Sequence, residues 1–393
     1  MEIETLKGLL DTVNRQQLFE EILKQLKEFG NLDYAKYDVF ETSEGPIPVV
    51  ILSKKIETHN VKNVKVFVGA QHNEYNGLFG IIEFFKVIEN QEIDITKILE
   101  NDQMLIFFPL MNPYGFLNPR EDNKSGYYLK DGTNLNRYWR RTFAPEYHDL
   151  NDDHNDYPIP EHSKIVKKVL KQYWENENIS IYILDFHETS LLRRSLGELS
   201  LDLHKESITY KFDRIYKEII ILNILKLYNI PYHREPLFKT CSRDVNHKHI
   251  QLSIKQLDVV YEKLLDFISI NSDKLPFFFC YCERSKKYCQ SLANRVYSKL
   301  KEKNTLWGIY EPSISHQHVY HGCIVLMNEA TSRKNLYSME IECHKQFFNI
   351  FEEIEKSKRD PSYFDKKLRS INISIELVVE SIKEMINLFY PKD

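Results

Sequence analysis

Apolar positions along this chain fall into two spacings. Over residues 1–30 they recur at Leu6, Leu9, Leu10, Val13, Leu18, Phe19, Ile22, Leu23 and Leu26, the repeat of an amphipathic helix. Residues 34–58 read as a strand pair around the turn Ser43-Glu44-Gly45-Pro46. Continuous apolar runs then occur at 64–68, 103–111 (QMLIFFPLM), 179–185 (ISIYILD), 275–282 (LPFFFCYC) and 322–327 (GCIVLM). Short runs of this kind, bounded by turn residues, predict strands buried on both faces. Helical periodicity occupies 75–90, 162–177, 208–228, 254–270, 284–302, 336–357 and 364–388, and 112–160 reads as a long loop rich in Pro, Gly, Asn and Asp. Strands alternating with helices predict an α/β fold: a single domain with a mixed, mostly parallel central sheet covered by helices on both faces. No internal repeat or low-complexity linker divides residues 1–393.

Composition narrows the function classes. The 393 residues are 42% hydrophobic and 28% charged, an ordinary globular balance, and the formal net charge of −4 with mixed signs predicts no nucleic-acid partner. The N-terminus carries acidic residues at once, and no apolar run reaches the length of a membrane span, so the expected setting is cytoplasmic with no membrane partner. The oligomeric state stays open. The six cysteines form no paired framework and read as buried free thiols.

Polar residues of catalytic type sit at the ends of the apolar runs. Gln71, His72, Asn73 and Glu74 follow the run at 64–68, Asn112 follows the second, and Asp185, His187 and Glu188 close the third. Asn328 and Glu329 follow the run at 322–327. In open α/β sheets ligands bind at such strand ends. Asp185 reads either as the acceptor of the second imidazole proton of His187 or as a strand cap, and Glu188 and Glu340 read as solvated charges. His316, His318 and His321 precede Glu329 in a loop that could line a pocket mouth.

The stretch 111–139 (MNPYGFLNPREDNKSGYYLKDGTNLNRYW) contains Asn112-Pro113-Tyr114-Gly115, then Arg120, then Gly132-Thr133-Asn134-Leu135-Asn136-Arg137. It resembles the zinc carboxypeptidases, the funnelin-type metallopeptidases with the related acyl-amino-acid deacylases. In that family an Asn-Pro-x-Gly turn is followed by an arginine and a Gly-x-Asp-x-Asn-Arg stretch. The resemblance covers about residues 60–335, leaving 1–59 and 336–393 as accessory segments.

The resemblance implies a Zn2+ site held by Gln71, Glu74 and His187, with His72 as the alternative to Gln71. The family pattern is His-x-x-Glu, whereas Gln71 stands three residues before Glu74 and His72 two before. Gln71 keeps the register of the flank Gly-Ala-Gln-x-x-Glu-Tyr-Asn-Gly without a gap and would ligate through its amide oxygen. His72 would ligate if the turn is tighter by one residue. The resemblance further implies Glu329 as general base, Arg120 as oxyanion stabiliser, and Asn136 with Arg137 as the grip on a substrate carboxylate; Asn134 replaces the family's aspartate. The implied activity is hydrolysis of an amide bond next to a free carboxylate, on peptides or peptidoglycan stem peptides. The alternatives are an N-acyl-amino-acid deacylase and a catalytically silent carboxylate-binding protein. The implied partner is a small peptide or acyl-amino-acid substrate.

Overall fold

The computed structural model describes residues 15–54, 61–99, 102–118, 126–146, 158–189, 224–236, 248–251, 254–271, 275–300, 306–308, 324, 327, 331–344 and 359–388. Helix α1 (Arg15–Phe29) leads into the hairpin β1 (Ala35–Phe40) and β2 (Ile47–Leu52). Strand β3 (Asn63–Val68), α2 (Asn76–Glu89), α3 (Ile95–Leu99) and β4 (Gln103–Phe108) follow. The long loop carries α4 (Pro113–Leu117), a 3-10 turn over Leu135–Arg137 and α5 (Trp139–Phe143). Then come α6 (Glu161–Trp174), β5 (Ser180–Thr189), the hairpin β6 (His233–Pro236) and β7 (Lys248–Gln251), α7 (Ile254–Asn271) and β8 (Leu275–Tyr281). The described chain closes with α8 (Lys286–Leu300), β9 (Leu306–Gly308), β10 (Leu336–His344) and α9 (Pro361–Asn387).

Eight strands form one mixed sheet in the order β1-β2-β4-β3-β5-β10-β8-β9. Its central strands β4, β3, β5 and β10 are mutually parallel, while β1/β2, β2/β4 and β10/β8 pair antiparallel. The chain leaves β3 for β4 on one side and returns to β5 on the other. This is the switch point at which α/β sheets open a crevice at their carboxyl ends.

The period-2 alternation of each central strand separates two cores. Val64, Val66, Val68, Ile181 and Ile183 face one core with α5, α6 and α7. Phe67, Leu184, Phe186, Met339 and Ile341 face the other with α1, α2, α8 and α9. Helix α2 approaches the sheet closely through Gly77, where a Cβ would lie 2.6 Å from Cβ of Phe186. The Asn112-Pro113-Tyr114-Gly115 turn opens α4: the Asn112 side chain accepts from Gly115 N–H at 2.7 Å and donates to Tyr128 O at 3.1 Å, tethering the long loop. No helix among the described residues is long and apolar enough to cross a membrane. Four described cysteines, Cys280, Cys282, Cys289 and Cys343, are buried and free.

Three sequence expectations are corrected. Residues 336–344 form a strand rather than the start of a helix, because Tyr337, Met339, Ile341 and Cys343 alternate with polar residues and the edge of β5 offers a parallel partner. The expected strand at 322–327 has its two described residues, Ile324 and Met327, in helical conformation. Strand β5 continues four residues beyond Asp185, so that Asp185 and His187 lie within it, paired to β10.

Lys65 is buried on β3 at 2% exposure, with Nζ donating to Ile386 O of α9 at 2.9 Å. Burial pulls its pKa down to about 7 from 10.5. Between these values the unfolded chain binds a proton that the folded chain does not, so stability rises with pH across that window. The rise should be absent in Lys65→Met. Denaturant midpoints of both proteins across the window test this, and parallel profiles would contradict it.

Candidate metal centre

The turn after β3 is built by hydrogen bonds to the end of β4. Gly69 N–H donates to Phe108 O, Met111 N–H to Gly69 O, and Asn112 N–H to Ala70 O, with Ala70 in the left-handed region at φ 48. This turn carries Gln71, His72, Asn73 and Glu74 inward, each no more than 4% exposed. Four consecutive buried polar side chains demand partners, and β5 supplies them to Gln71 and Glu74. Along the face of β5 that begins with Ile181 and Ile183, the next inward positions are Asp185 and His187.

Three donor atoms converge there. His187 Nδ1 lies 2.7 Å from Glu74 Oε2, and His72 Nδ1 lies 3.4 Å from the same oxygen. Ligand atoms of His72, Glu74 and His187 all fall within 4.8 Å of one another. Tetrahedral zinc with bonds near 2.0–2.1 Å separates its ligand atoms by about 3.3 Å.

The outer imidazole nitrogens are also engaged. His72 Nε2 meets Asn134 Oδ1 at 3.0 Å, and His187 Nε2 meets Asp185 Oδ2 at 2.8 Å. Burial lowers the His72 pKa and keeps that ring neutral against the pull of Glu74. Because Asn134 Oδ1 also accepts Asn136 N–H at 3.0 Å, the His72 proton belongs on Nε2 and the lone pair on Nδ1. That buried Nδ1 has no well-formed hydrogen bond. A neutral imidazole with an orphaned inward lone pair, a second imidazole and a carboxylate is a donor set that fits zinc.

Gln71 sits beside this set with a different outlook. Its carbonyl Oε1 accepts from Trp139 Nε1 at 2.8 Å, and its Nε2 donates to Asp185 Oδ2. The same Nε2 lies 3.3 Å from His187 Nε2.

Negative charge is concentrated around His187. In the β5/β10 register Glu340 pairs with Asp185 and Glu342 with His187, and both glutamates are buried. Ligand atoms of Asp185, His187 and Glu340 also cluster within 4.8 Å. Burial opposes the charge on His187, but Asp185, Glu340 and Glu74 outweigh it and raise its pKa well above 6.5. Burial raises both Glu340 and Glu342; Asp185 and Glu74 add to the rise of Glu340, to about 7, and Glu340 and Glu74 add to the rise of Glu342. Glu74 is held well below its ordinary value: burial works against ionisation, and His72 and His187 overcome it.

Glu340 and Glu188 are therefore not solvated charges. Glu188 accepts Asn76 N–H at 2.6 Å and caps α2, whose own N-cap residue Tyr75 makes no side-chain bond. An interior strand cannot expose residues at its centre, so these acids are buried with the sheet.

The long loop closes over the cluster. Tyr127 stacks on His72 with ring centroids 4.0 Å apart and planes at 13°. Its hydroxyl is pushed up to about 12 by burial, then by Glu74, with Arg137, His187 and Glu342 also within electrostatic reach. Asn136 is buried with Nδ2 3.4 Å from His187 Nε2, and Arg137 Nη1 donates to Asn136 O at 3.0 Å. Arg120, Glu329 and the histidines His316, His318 and His321 lie outside the described residues. Sequence reading passed over Tyr127, Trp139 and Glu342; the alternation through 337–343 was the available signal for Glu342.

No family model matches the sequence, and no curated protein does. Among solved structures, bovine thrombin-activatable fibrinolysis inhibitor, in complex with tick carboxypeptidase inhibitor, matches with TM-score 0.50 at 9% identity, covering 96% of this chain and 99% of its own. A metallo-carboxypeptidase from Burkholderia cenocepacia matches with TM-score 0.45 at 11% identity over 93% of this chain and 69% of its own. A metallo-carboxypeptidase from Pseudomonas aeruginosa, in complex with (2-guanidinoethylmercapto)succinic acid, matches with TM-score 0.44 at 12% identity over 93% and 69%. At these identities the likeness is one of fold.

The geometry makes Asn134 the partner that fixes the His72 tautomer. Removing such a partner typically costs about 10–100-fold in metal affinity. Asn134→Ala should weaken zinc binding by that range, and Asn134→Asp, a stronger acceptor for Nε2–H, should tighten it. Competition with a chelating dye measures both, and equal affinities in all three proteins would contradict the assignment.

Proposed function

We propose that this chain, which has the zinc-carboxypeptidase fold, is a zinc-dependent hydrolase cleaving an amide bond next to a free carboxylate. The observation that carries this reading is the convergence of His72 Nδ1, Glu74 Oε2 and His187 Nδ1 at the switch point of the sheet. In place of Gln71, which the sequence favours, we take the alternative His72 as third ligand, because the amide oxygen of Gln71 is engaged by Trp139. A zinc ion held there supplies a Lewis acid for the scissile carbonyl and a nucleophile at neutral pH.

The protein's own groups supply the remainder. Glu342 lies opposite His187 in the β5/β10 register, with Oε2 buried and lacking a hydrogen-bond partner. Burial and Glu340 hold its carboxyl well above the ordinary carboxylate range. We therefore assign to Glu342 the transfer of a proton from water to the leaving amine, the role the family resemblance suggested for Glu329. Arg120 remains our expected oxyanion stabiliser.

Arg137, anchored by its bond to Asn136 O, offers a planar fork to a substrate carboxylate. Substrates in this reading are small peptides, peptidoglycan stem peptides or acyl amino acids with a free carboxylate.

Zinc-loaded protein assayed against peptides, muropeptides and acyl amino acids, each as a terminal acid and as the matching amide, tests the reading. The acids should be cleaved in preference; equal cleavage of acid and amide would remove Arg137 from carboxylate recognition. A protein that binds stoichiometric zinc yet cleaves nothing would support the silent carboxylate-binding alternative.

Glu342→Gln keeps the size of the side chain but cannot accept a proton. Turnover should fall by roughly 10²–10⁴, the usual contribution of general acid–base catalysis, with zinc retained by elemental analysis and KM little changed. Unchanged turnover would return the role to another carboxylate. Arg137→Lys should instead raise KM for acids and leave amides unaffected, since a point charge replaces the fork.

A further inference from the structure

We propose that Gln71 is a positioning residue rather than a ligand: the middle link of a buried chain, Trp139–Gln71–Asp185–His187, that fixes which nitrogen of His187 faces the metal. The inference rests on the metal reading above and assigns the residue that stands where the resembled family has its first histidine.

Every link runs in one direction only. Trp139 Nε1 is a donor with no acceptor capacity, and it donates to Gln71 Oε1 at 2.8 Å. The Asp185 carboxylate only accepts, and Gln71 Nε2 donates to its Oδ2. Turning the amide over would set the indole N–H against an amide N–H and the amide oxygen against a carboxylate. Two buried hydrogen bonds would be lost together. Gln71 is 1% exposed, and Trp139 and Asp185 are 0% exposed, so water does not compensate. The partners therefore determine the orientation of the amide.

Held by Gln71, Asp185 Oδ2 stands 2.8 Å from His187 Nε2. With that carboxylate holding the Nε2 proton, a metal would displace the proton from Nδ1, on the face His187 shares with Glu74 Oε2 and His72 Nδ1. The chain begins on α5, a short helix packed in the core it shares with α6 and α7, so the setting of His187 is tied to the packing of Trp139. Ligation through Oε1 would compete with the indole for the lone pairs of that oxygen.

Ligand and positioning roles predict opposite outcomes for Gln71→Glu. A carboxylate is a better zinc ligand than an amide, so a ligand role predicts tighter binding. In the positioning role the introduced carboxylate cannot donate to Asp185, and two acceptors face each other. Zinc affinity, read by chelator competition on metal-free protein, should then fall by about 10–100-fold, the usual effect of losing such a partner. The visible absorption spectrum of the Co2+-loaded Gln71→Glu protein should also depart from that of wild type, because the setting of His187 changes.

Tighter zinc binding by Gln71→Glu, or a Co2+ spectrum identical to that of wild type, would overturn the proposal while leaving the metal centre standing. A wild type that takes up no zinc would overturn the metal reading and this inference with it. Thermal unfolding of the metal-free proteins checks that the variants fold. If Gln71→Glu does not, Trp139→Phe removes the donor with the aromatic bulk retained. It should weaken zinc binding in the same way, and unchanged affinity there would also overturn the proposal.

Discussion

Buried negative charge at the carboxyl ends of two neighbouring parallel strands is the constraint on which this site depends. Asp185 on β5 and Glu340 and Glu342 on β10 share one face of the sheet, and Glu74 reaches the same space from the turn after β3. Carboxylates that close cannot all remain charged away from water. They must take up protons, pair with cations or bind a metal. The two glutamates of β10 are pushed toward the protonated form, and His187 is driven toward its charged form with Glu74 on one nitrogen and Asp185 on the other. A divalent cation between His72, Glu74 and His187 relieves the same repulsion without spending a proton on each carboxylate. The folded sheet thus holds an arrangement whose electrostatics call for a cation.

Close backbone approach is what brings these groups together. Gly77 lets the first turn of α2 press against Phe186, and Gly69 brings the turn to Pro109 O, where a Cβ would stand at 2.8 Å. That approach sets Glu188 on the open amino end of α2 and turns Glu74 toward His187. The loop tethered by Asn112 then lays Tyr127 over His72 and Asn134 behind it. The site is assembled from three strand ends and one loop, each held by bonds that are not themselves part of the chemistry.

Most of the fold was legible in the sequence because its central strands are buried on both faces and show as continuous apolar runs, as at 64–68, 103–108 and 179–184. Strand β10 was not. Its apolar residues Tyr337, Met339, Ile341 and Cys343 alternate with Ser338, Glu340 and Glu342, and the apolar positions that follow resume a helical repeat that dominates a longer window. Its glutamates looked like surface charges because sequence reports polarity and not what a polar face packs against. The turn after β3 shows the same gap between sequence and packing. Register along 69–77 points to Gln71, whereas in the folded chain its amide oxygen is engaged by Trp139, and His72 meets Asn134 through Nε2 with its buried Nδ1 lacking a hydrogen bond.

Anomalous diffraction at the zinc edge from crystals of zinc-loaded protein tests the central claim most directly. The account predicts one full-occupancy peak about 2.0–2.2 Å from His72 Nδ1, His187 Nδ1 and a Glu74 carboxylate oxygen, with the Gln71 amide still bonded to Trp139. A peak bonded to Gln71 Oε1 with His72 outside its reach, or no peak between β3 and β5, would contradict it.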